Sequence, residues 1–484
     1  MIPLTLAEVA QTVGGTLHDS PDPEAAVTGP AFRDSREVVP GGLFVAIAGE
    51  HADGHDFAAG AVAAGAAGVL AERPVGVPAV VVDDVLAALG RLAREVVSRL
   101  AAGGSGGAAG AGLTTVALTG SSGKTSTKDL IAQLLTRLGP TVYPPGSLNN
   151  ELGLPLTALE ADARTRHLVL EMGARGKGHI AYLTGIVPPR IGAVLNVGSA
   201  HVGEFGSREA IAEAKGEMVE CLPSAAEGGV AVLNADDALV RAMASRTKAR
   251  VVFFGESPEA QVRASDVRLD DSGRPAFTLT TPSGSAPVAL RLYGEHHVSN
   301  ALAAAAVAHE CGMSAEDIAT ALGEAGALSR WRMEVTDRAD GVTIVNDAYN
   351  ANPESMRAAL RAITAMAGRG EGRRRTFAVL GEMAELGDAS LAEHDAIGRL
   401  AVRLDVTKLV AVGGREAAWL ELGARHEGSW GEESVHVADA DAAIELLRDQ
   451  LRPGDIVLVK ASRSKGLERV AGTLLADVPA KAGE

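Results

Sequence analysis

Between a short apolar run and a helix-patterned stretch the chain reads Thr119-Gly120-Ser121-Ser122-Gly123-Lys124-Thr125-Ser126. Residues of these types, so spaced, suit phosphate. Glycines let the backbone turn until successive N–H groups face one anion, and the N-terminus of a following helix adds partial positive charge. Lys124 supplies a full charge, and the Thr125 hydroxyl is suited to Mg²⁺. The spacing is shorter than the common G-x-x-x-x-G-K-[ST] pattern, because only Ser121 and Ser122 separate Gly120 from Gly123. The flanks decide the reading: Thr115-Val116-Ala117-Leu118 reads as a strand and Asp129 to Leu135 as a helix, the context of a nucleotide phosphate loop rather than an ordinary helix cap.

Four further stretches carry side chains with possible chemistry. His167-Leu168-Val169-Leu170-Glu171 puts a carboxylate at the end of a strand pattern, where open α/β sheets bind ligands and where Glu171 could hold Mg²⁺. A solvated strand-end carboxylate is the alternative. His201 follows the strand pattern ending at Leu195-Asn196, and Lys215 lies in the helical Glu213-Ala214-Lys215-Gly216-Glu217; alone, the first reads as structural and the second as a surface lysine. Asn346-Asp347-Ala348-Tyr349-Asn350-Ala351-Asn352-Pro353 is denser in polar side chains than a plain turn and precedes a Pro-initiated helix. Asn300, after Glu295-His296-His297, stands where it could either cap a helix or read an adenine edge.

The elements that must position these groups alternate. Strand patterns at 115-119, 167-171, 191-196, 229-233 and 250-254, separated by helical segments, predict a mostly parallel sheet covered on both faces. Residues 262-293 read as an antiparallel addition, and helices at 297-311 and 315-325 close that unit. A second alternation, with strands at 341-346, 376-380, 407-412 and 455-460, predicts a Rossmann-like unit without the G-x-G-x-x-G of dinucleotide sites. Upstream, runs at 43-47 and 79-82 alternate with helices at 55-65 and 84-100. The glycine-rich 101-112 reads as a linker. The expectation is an α/β protein of three domains: a small N-terminal unit over 1-105, a central P-loop-type domain over 106-328 and a Rossmann-like domain over 329-484.

A formal net charge of -16 over 484 residues argues against nucleic acid and anionic membrane as partners, so anionic ligands must meet local clusters. Cys221 and Cys311 are far apart and suggest neither disulfide nor zinc, which suits a reducing cytoplasm. The apolar stretch from Phe57 to Leu70 is too short for a membrane span and reads as a buried helix and strand. Thr5-Leu6-Ala7-Glu8 reads as a capping box opening a helix rather than as an export signal.

Together and in this order, these stretches resemble the Mur ligase family of ATP-dependent amide-forming enzymes that build the peptidoglycan stem peptide; the family's T-G-[ST]-x-G-K-[ST] loop matches 119-125. Within that family, Gly146 to Pro155, Leu170 to Gly176, Asn346 to Pro353 and Val379 to Gly387 are most similar to the branch that joins D-Ala-D-Ala to UDP-N-acetylmuramoyl-tripeptide, and the D-N-P-R-like signature of the third-residue-adding branch is absent. The resemblance implies ATP and two Mg²⁺ ions, both peptide substrates as partners, and a cytoplasmic monomer. It makes Lys124, His201 and Lys215 catalytic and gives Gly120, Ser121, Ser122, Gly123, Lys124, Thr125, Ser126, Asn300, Arg332 and Asp347 to ATP. Thr125, Glu171, His201 and an N-carbamylated Lys215 would hold metal; Ser35 and Arg36 would meet the uridine diphosphate. Asn149, Asn150, Arg175, Tyr349 and Asn350 would meet the remaining substrate. One departure stands at Lys460-Ala461-Ser462-Arg463, where the resemblance leads to glycine in place of Ala461. Another ligase of this architecture, such as a folylpolyglutamate synthetase, and a P-loop ATPase switch are the competing readings.

Overall fold

Strand Thr114–Thr119, which delivers the phosphate loop, lies inside a nine-stranded sheet in the computed structural model, which describes residues 1–49, 52–103, 112–198, 202–429 and 431–477. Its neighbours are Ile191–Val194 and His167–Glu171, both parallel to it. Beyond them lie Thr141–Val142 on one side and Val230–Asn234, Arg250–Gly255 and Val262–Leu269 on the other, all parallel. Pro275–Thr281 and Gly284–Ala289 extend that edge antiparallel. The parallel strands are buried on both faces, which is why they read as continuous apolar runs. Val116 and Leu118 pack toward helices Lys124–Thr136 and His296–Glu310, and Ala117, Leu168 and Leu170 toward the opposite core.

That opposite core crosses a boundary drawn from sequence. Leu89 and Leu92 of helix Val85–Ala101 share it with Leu154 and Leu183, and Gly90 has side-chain atoms of Ile186 where a Cβ would stand, 3.3 Å away. The N-terminal unit therefore lies against the central sheet through its last helix. Its own sheet has five strands, ordered Thr16–His18, Ala79–Val81, Gly68–Ala71, Leu43–Val45 and Ala31–Phe32, with only the first pair antiparallel. The expected helix over 55-65 divides into a 3-10 turn, Gly54–Phe57, and a short helix, Ala58–Ala63. Gly60 and Gly65 disfavour a longer helix there, and Phe57 is exposed rather than buried. The capping box at Thr5 and Glu8 is formed in both directions. Of the glycine-rich 101-112, positions 104–111 lie outside the described residues.

The C-terminal sheet has six strands, ordered Glu334–Asp337, Thr343–Asn346, Ile456–Lys460, Thr376–Gly381, Lys408–Val412 and Ser434–Val437. Only the first pair is antiparallel. Helix Pro353–Ala367 begins with proline at its first turn, and the Asn352 side chain accepts from Ser355 N. Ala461 is fully buried against Gly381, where an added Cβ would stand 2.7 Å from its methyl. None of the described helices is long and apolar enough to cross a membrane.

Candidate active site

The C-terminal edges of the nine- and six-stranded sheets face one another across a cavity of about 420 Å³. One wall holds the phosphate loop, Asn149, Glu171, Lys215 and Asn300; the other holds Arg332, Asp347, Tyr349, Asn352 and Lys460. Ligands bind parallel sheets at this edge because strand ends, loops and helix N-termini converge there.

Gly123 opens helix Lys124–Thr136 at φ +78°, and a Cβ there would stand 2.5 Å from Asn300 Oδ1. Glycine is thus required both for the turn and for the approach of Asn300. The amides of Ser121 and Ser122 do converge on one acceptor, but it is Asn196 Oδ1, at 3.0 and 2.9 Å. A protein side chain holds this half of the loop, and the first-turn amides of the helix, from Lys124 onward, remain for an anion. Lys124 Nζ donates to Gly120 O at 2.9 Å. Burial pushes its ammonium below the ordinary lysine range, opposed by the charge of Glu171.

Glu171 ends its strand almost fully buried. Ser147 Oγ and Asn149 Nδ2 both donate to its Oε1 at 2.7 Å, and Thr125 Oγ1 donates to Oε2 at 2.9 Å. Burial alone would raise this carboxyl; Lys124, Ser147, Arg332 and Asn149 outweigh it and hold it below the usual range. The carboxylate and the Thr125 hydroxyl form a pair of oxygen donors that fits Mg²⁺, a cation that takes oxygen ligands. No cluster of three or more His, Cys, Asp or Glu side chains suited to a metal occurs among the described residues.

Lys215, on helix Arg208–Glu220, is buried rather than solvated. Its ammonium is pushed well below the ordinary range by burial and then by Lys124. A neutral amine facing this cavity is the form that reacts with CO₂. His201, expected beside it, lies outside the described residues.

From the opposite wall, Arg332 Nη2 donates to Thr125 Oγ1 at 3.0 Å while its guanidinium stacks over Tyr349, 4.1 Å from the ring centre. Asn352 Nδ2 donates to Ser121 O at 3.3 Å. Two residues of this approach, Trp331 and Met333, adopt positive φ (+60° and +48°), a conformation non-glycine residues rarely take. Asp347 accepts from Lys460 Nζ at 2.5 Å and from Met333 N at 3.1 Å, and Lys460 also donates to Asn350 O at 2.9 Å. Lys460 is buried, and that burial lowers its pKa against the pull of Asp347.

The cavity thus gathers Ser121, Ser122, Gly123, Lys124, Thr125, Ser126, Asn149, Asn150, Glu171, Arg175, Lys215, Asn300, Arg332, Asp347, Tyr349 and Asn350. Ser35 and Arg36 are not among its lining; Arg36 instead pairs with Asp34 at 2.6 Å on the surface of the N-terminal unit. Sequence reasoning passed over Ser147, Asn196, Asn352, Lys460, His296 and His297 as site residues. Each lay in or beside a motif already noticed; what it touches was not readable. His296 and His297 stack with ring centres 4.3 Å apart, and burial lowers the first to about 4.

Three α/β units, with a glycine-cornered phosphate loop covered by residues of the last, define a nucleotide-using enzyme of the Mur type, and the chain belongs to the Mur ligase family. Residues 33–97 match the family's catalytic domain, 118–308 its middle domain and 331–463 its glutamate ligase domain. Particular relatives are the UDP-N-acetylmuramoyl-tripeptide--D-alanyl-D-alanine ligases of Mycobacterium tuberculosis, 53% identical over 99% of this chain and 98% of that protein, and of Escherichia coli, 35% identical over 98% and 99%. Among solved structures, MurF from Acinetobacter baumannii superposes with a TM-score of 0.84 at 33% identity, covering 98% of this chain and 99% of the other. MurF ligase from Thermotoga maritima in complex with ADP superposes at 0.77 with 30% identity, covering 93% and 98%.

Proposed function

We propose that the chain joins D-Ala-D-Ala to UDP-N-acetylmuramoyl-tripeptide, spending ATP to pass through an acyl phosphate. The observation that carries this is the contact of Thr125 with both Glu171, at 2.9 Å, and Arg332, at 3.0 Å, in a cavity whose walls come from two different sheets. A carboxylate is a poor acyl donor. Transfer of the γ-phosphoryl group to the terminal carboxylate of the tripeptide releases ADP and leaves an acyl phosphate; the dipeptide's free amine then attacks the carbonyl carbon, and the tetrahedral adduct collapses to amide and phosphate.

In this reading Lys124 and the first-turn amides meet the γ-phosphoryl oxygens, Asn300 faces adenine, and Arg332 and Asp347 reach the nucleotide from the C-terminal domain. Asn149, Asn150, Arg175, Tyr349 and Asn350 position the muramoyl tripeptide, and Ser35 and Arg36 meet its uridine diphosphate. Thr125 and Glu171 would hold one Mg²⁺, and a carbamylated Lys215 with His201 a second; bound there, the ions would neutralise the phosphoryl oxygens and the approaching carboxylate. The C-terminal wall shields the acyl phosphate from water. Domain limits near 105 and 328, a monomer and a cytoplasmic site of action complete the proposal.

The test is to incubate the protein with ATP, Mg²⁺, D-Ala-D-Ala and the UDP-muramoyl-tripeptide carrying either lysine or meso-diaminopimelate, and to seek the pentapeptide by mass. ADP release should require both peptide substrates. Hydrolysis of ATP without them would favour a P-loop ATPase instead.

A further inference from the structure

Lys128 is fully buried in helix Lys124–Thr136, yet it does not line the cavity. An ammonium so placed is costly unless it is hydrogen-bonded and its charge is balanced. Both hold: it donates to Pro144 O at 2.5 Å and to Gly146 O at 2.7 Å, and the Asp129 carboxylate stands 2.9 Å away as its counter-ion. The Gly146 turn, at φ +63°, leads directly into Ser147 and Asn149, the two residues that donate to Glu171 Oε1. The other oxygen of Asp129 accepts from Ser329 N at 3.1 Å, on the segment that delivers Arg332 to Thr125. One buried ion pair is thus joined both to the loop that meets Glu171 and to the segment that brings Arg332 to Thr125.

We infer that Lys128, braced by Asp129, is a positioning residue: it fixes the 144–149 loop so that Ser147 and Asn149 occupy one oxygen of Glu171 and leave the other to Thr125 and the cation held with it. The inference rests on the assignment of Mg²⁺ to Thr125 and Glu171. Its test is the affinity for ADP with and without Mg²⁺, in the intact protein, by titration calorimetry. In the unaltered chain Mg²⁺ should tighten ADP binding. Lys128→Met should lose about tenfold of that tightening, the usual cost of removing a group that orients a metal ligand, with Mg²⁺-free affinity nearly unchanged. Asp129→Asn, which keeps the shape of the site, should move the same way by less and serves if the first variant does not fold. Because Lys128 acts through Ser147, adding Ser147→Ala to Lys128→Met should cost less than the two losses summed. Full retention of the Mg²⁺ effect, equal loss with and without Mg²⁺, or strict additivity would overturn the inference. Absence of any Mg²⁺ effect in the unaltered chain would instead bring down the metal assignment, and the inference with it.

Discussion

Lys124 and Lys460 stand on opposite walls of the cavity, one at the edge of the nine-stranded sheet and one at the edge of the six-stranded sheet. Burial lowers the pKa of both. Their partners differ. Lys460 is held by the Asp347 carboxylate and the Asn350 carbonyl, whereas Lys124 reaches a single backbone carbonyl within its own loop. A buried cation with an anion already in place acts as a strut. One without it is poised for an anion that arrives as ligand. Lys128 falls on the first side of that division; Lys215, buried beside Lys124 and without a hydrogen-bond partner among the described residues, is also left open for a ligand, though burial disfavours its charged form.

Removing the ligand-poised lysines should damage chemistry more than folding. For Lys124→Ala, ADP release should fall by about 10³-fold or more, the scale of losing a charge aimed at the reacting group, with the circular dichroism spectrum unchanged. Near-normal turnover would mean that Lys124 is a strut like Lys460. Lys215→Ala should lose at least about 10²-fold in rate and recover part of it when a small carboxylate such as acetate stands in for the proposed carbamate. Full activity without additive would remove Lys215 from the proposed metal bridge.

The strut side should respond in stability. Lys460→Met leaves the Asp347 charge buried without its partner and should cost about 3–5 kcal/mol in urea denaturation, far more than a surface lysine. An unchanged midpoint would make Lys460 a ligand group after all. A smaller, pH-dependent effect sharpens the same contrast at His296, which Asp347, Lys460 and His297 surround electrostatically. Its pKa falls from 6.5 to about 4 on folding, so between these values the unfolded chain takes up a proton the native one refuses. Its contribution is complete above pH 6.5 and is lost as pH falls toward 4. His296→Gln should therefore flatten the acid loss of stability by about 3 kcal/mol over that window; a slope equal to the parent's would place the titration elsewhere.

How legible each region was in the sequence follows from how local its determinants are. The phosphate loop is a contiguous run whose glycines, lysine and threonine carry their own meaning, and Glu171 is marked by standing at the end of an apolar strand. The long buried strands were found within a residue or two. Thr16–His18, Ala31–Phe32 and Glu334–Asp337 are too short for alternation to show. Lys128 gave no signal at all: a lysine four residues after Lys124 on a helix looks like any solvated lysine, and only the loop folded over it says otherwise. Asn196 was visible as a strand end, but its pairing with two loop amides spans 74 and 75 residues of chain.

By itself the sequence determined the alternation of strands and helices, the anion-binding loop and the carboxylate beside it, because backbone geometry and strand-end placement are written into neighbouring residues. Tertiary structure alone decided which lysines are buried, which already have an anion, and that Arg332 reaches Thr125 from another sheet. Those outcomes depend on desolvation and on contacts between residues as many as 207 positions apart, and no local pattern encodes either.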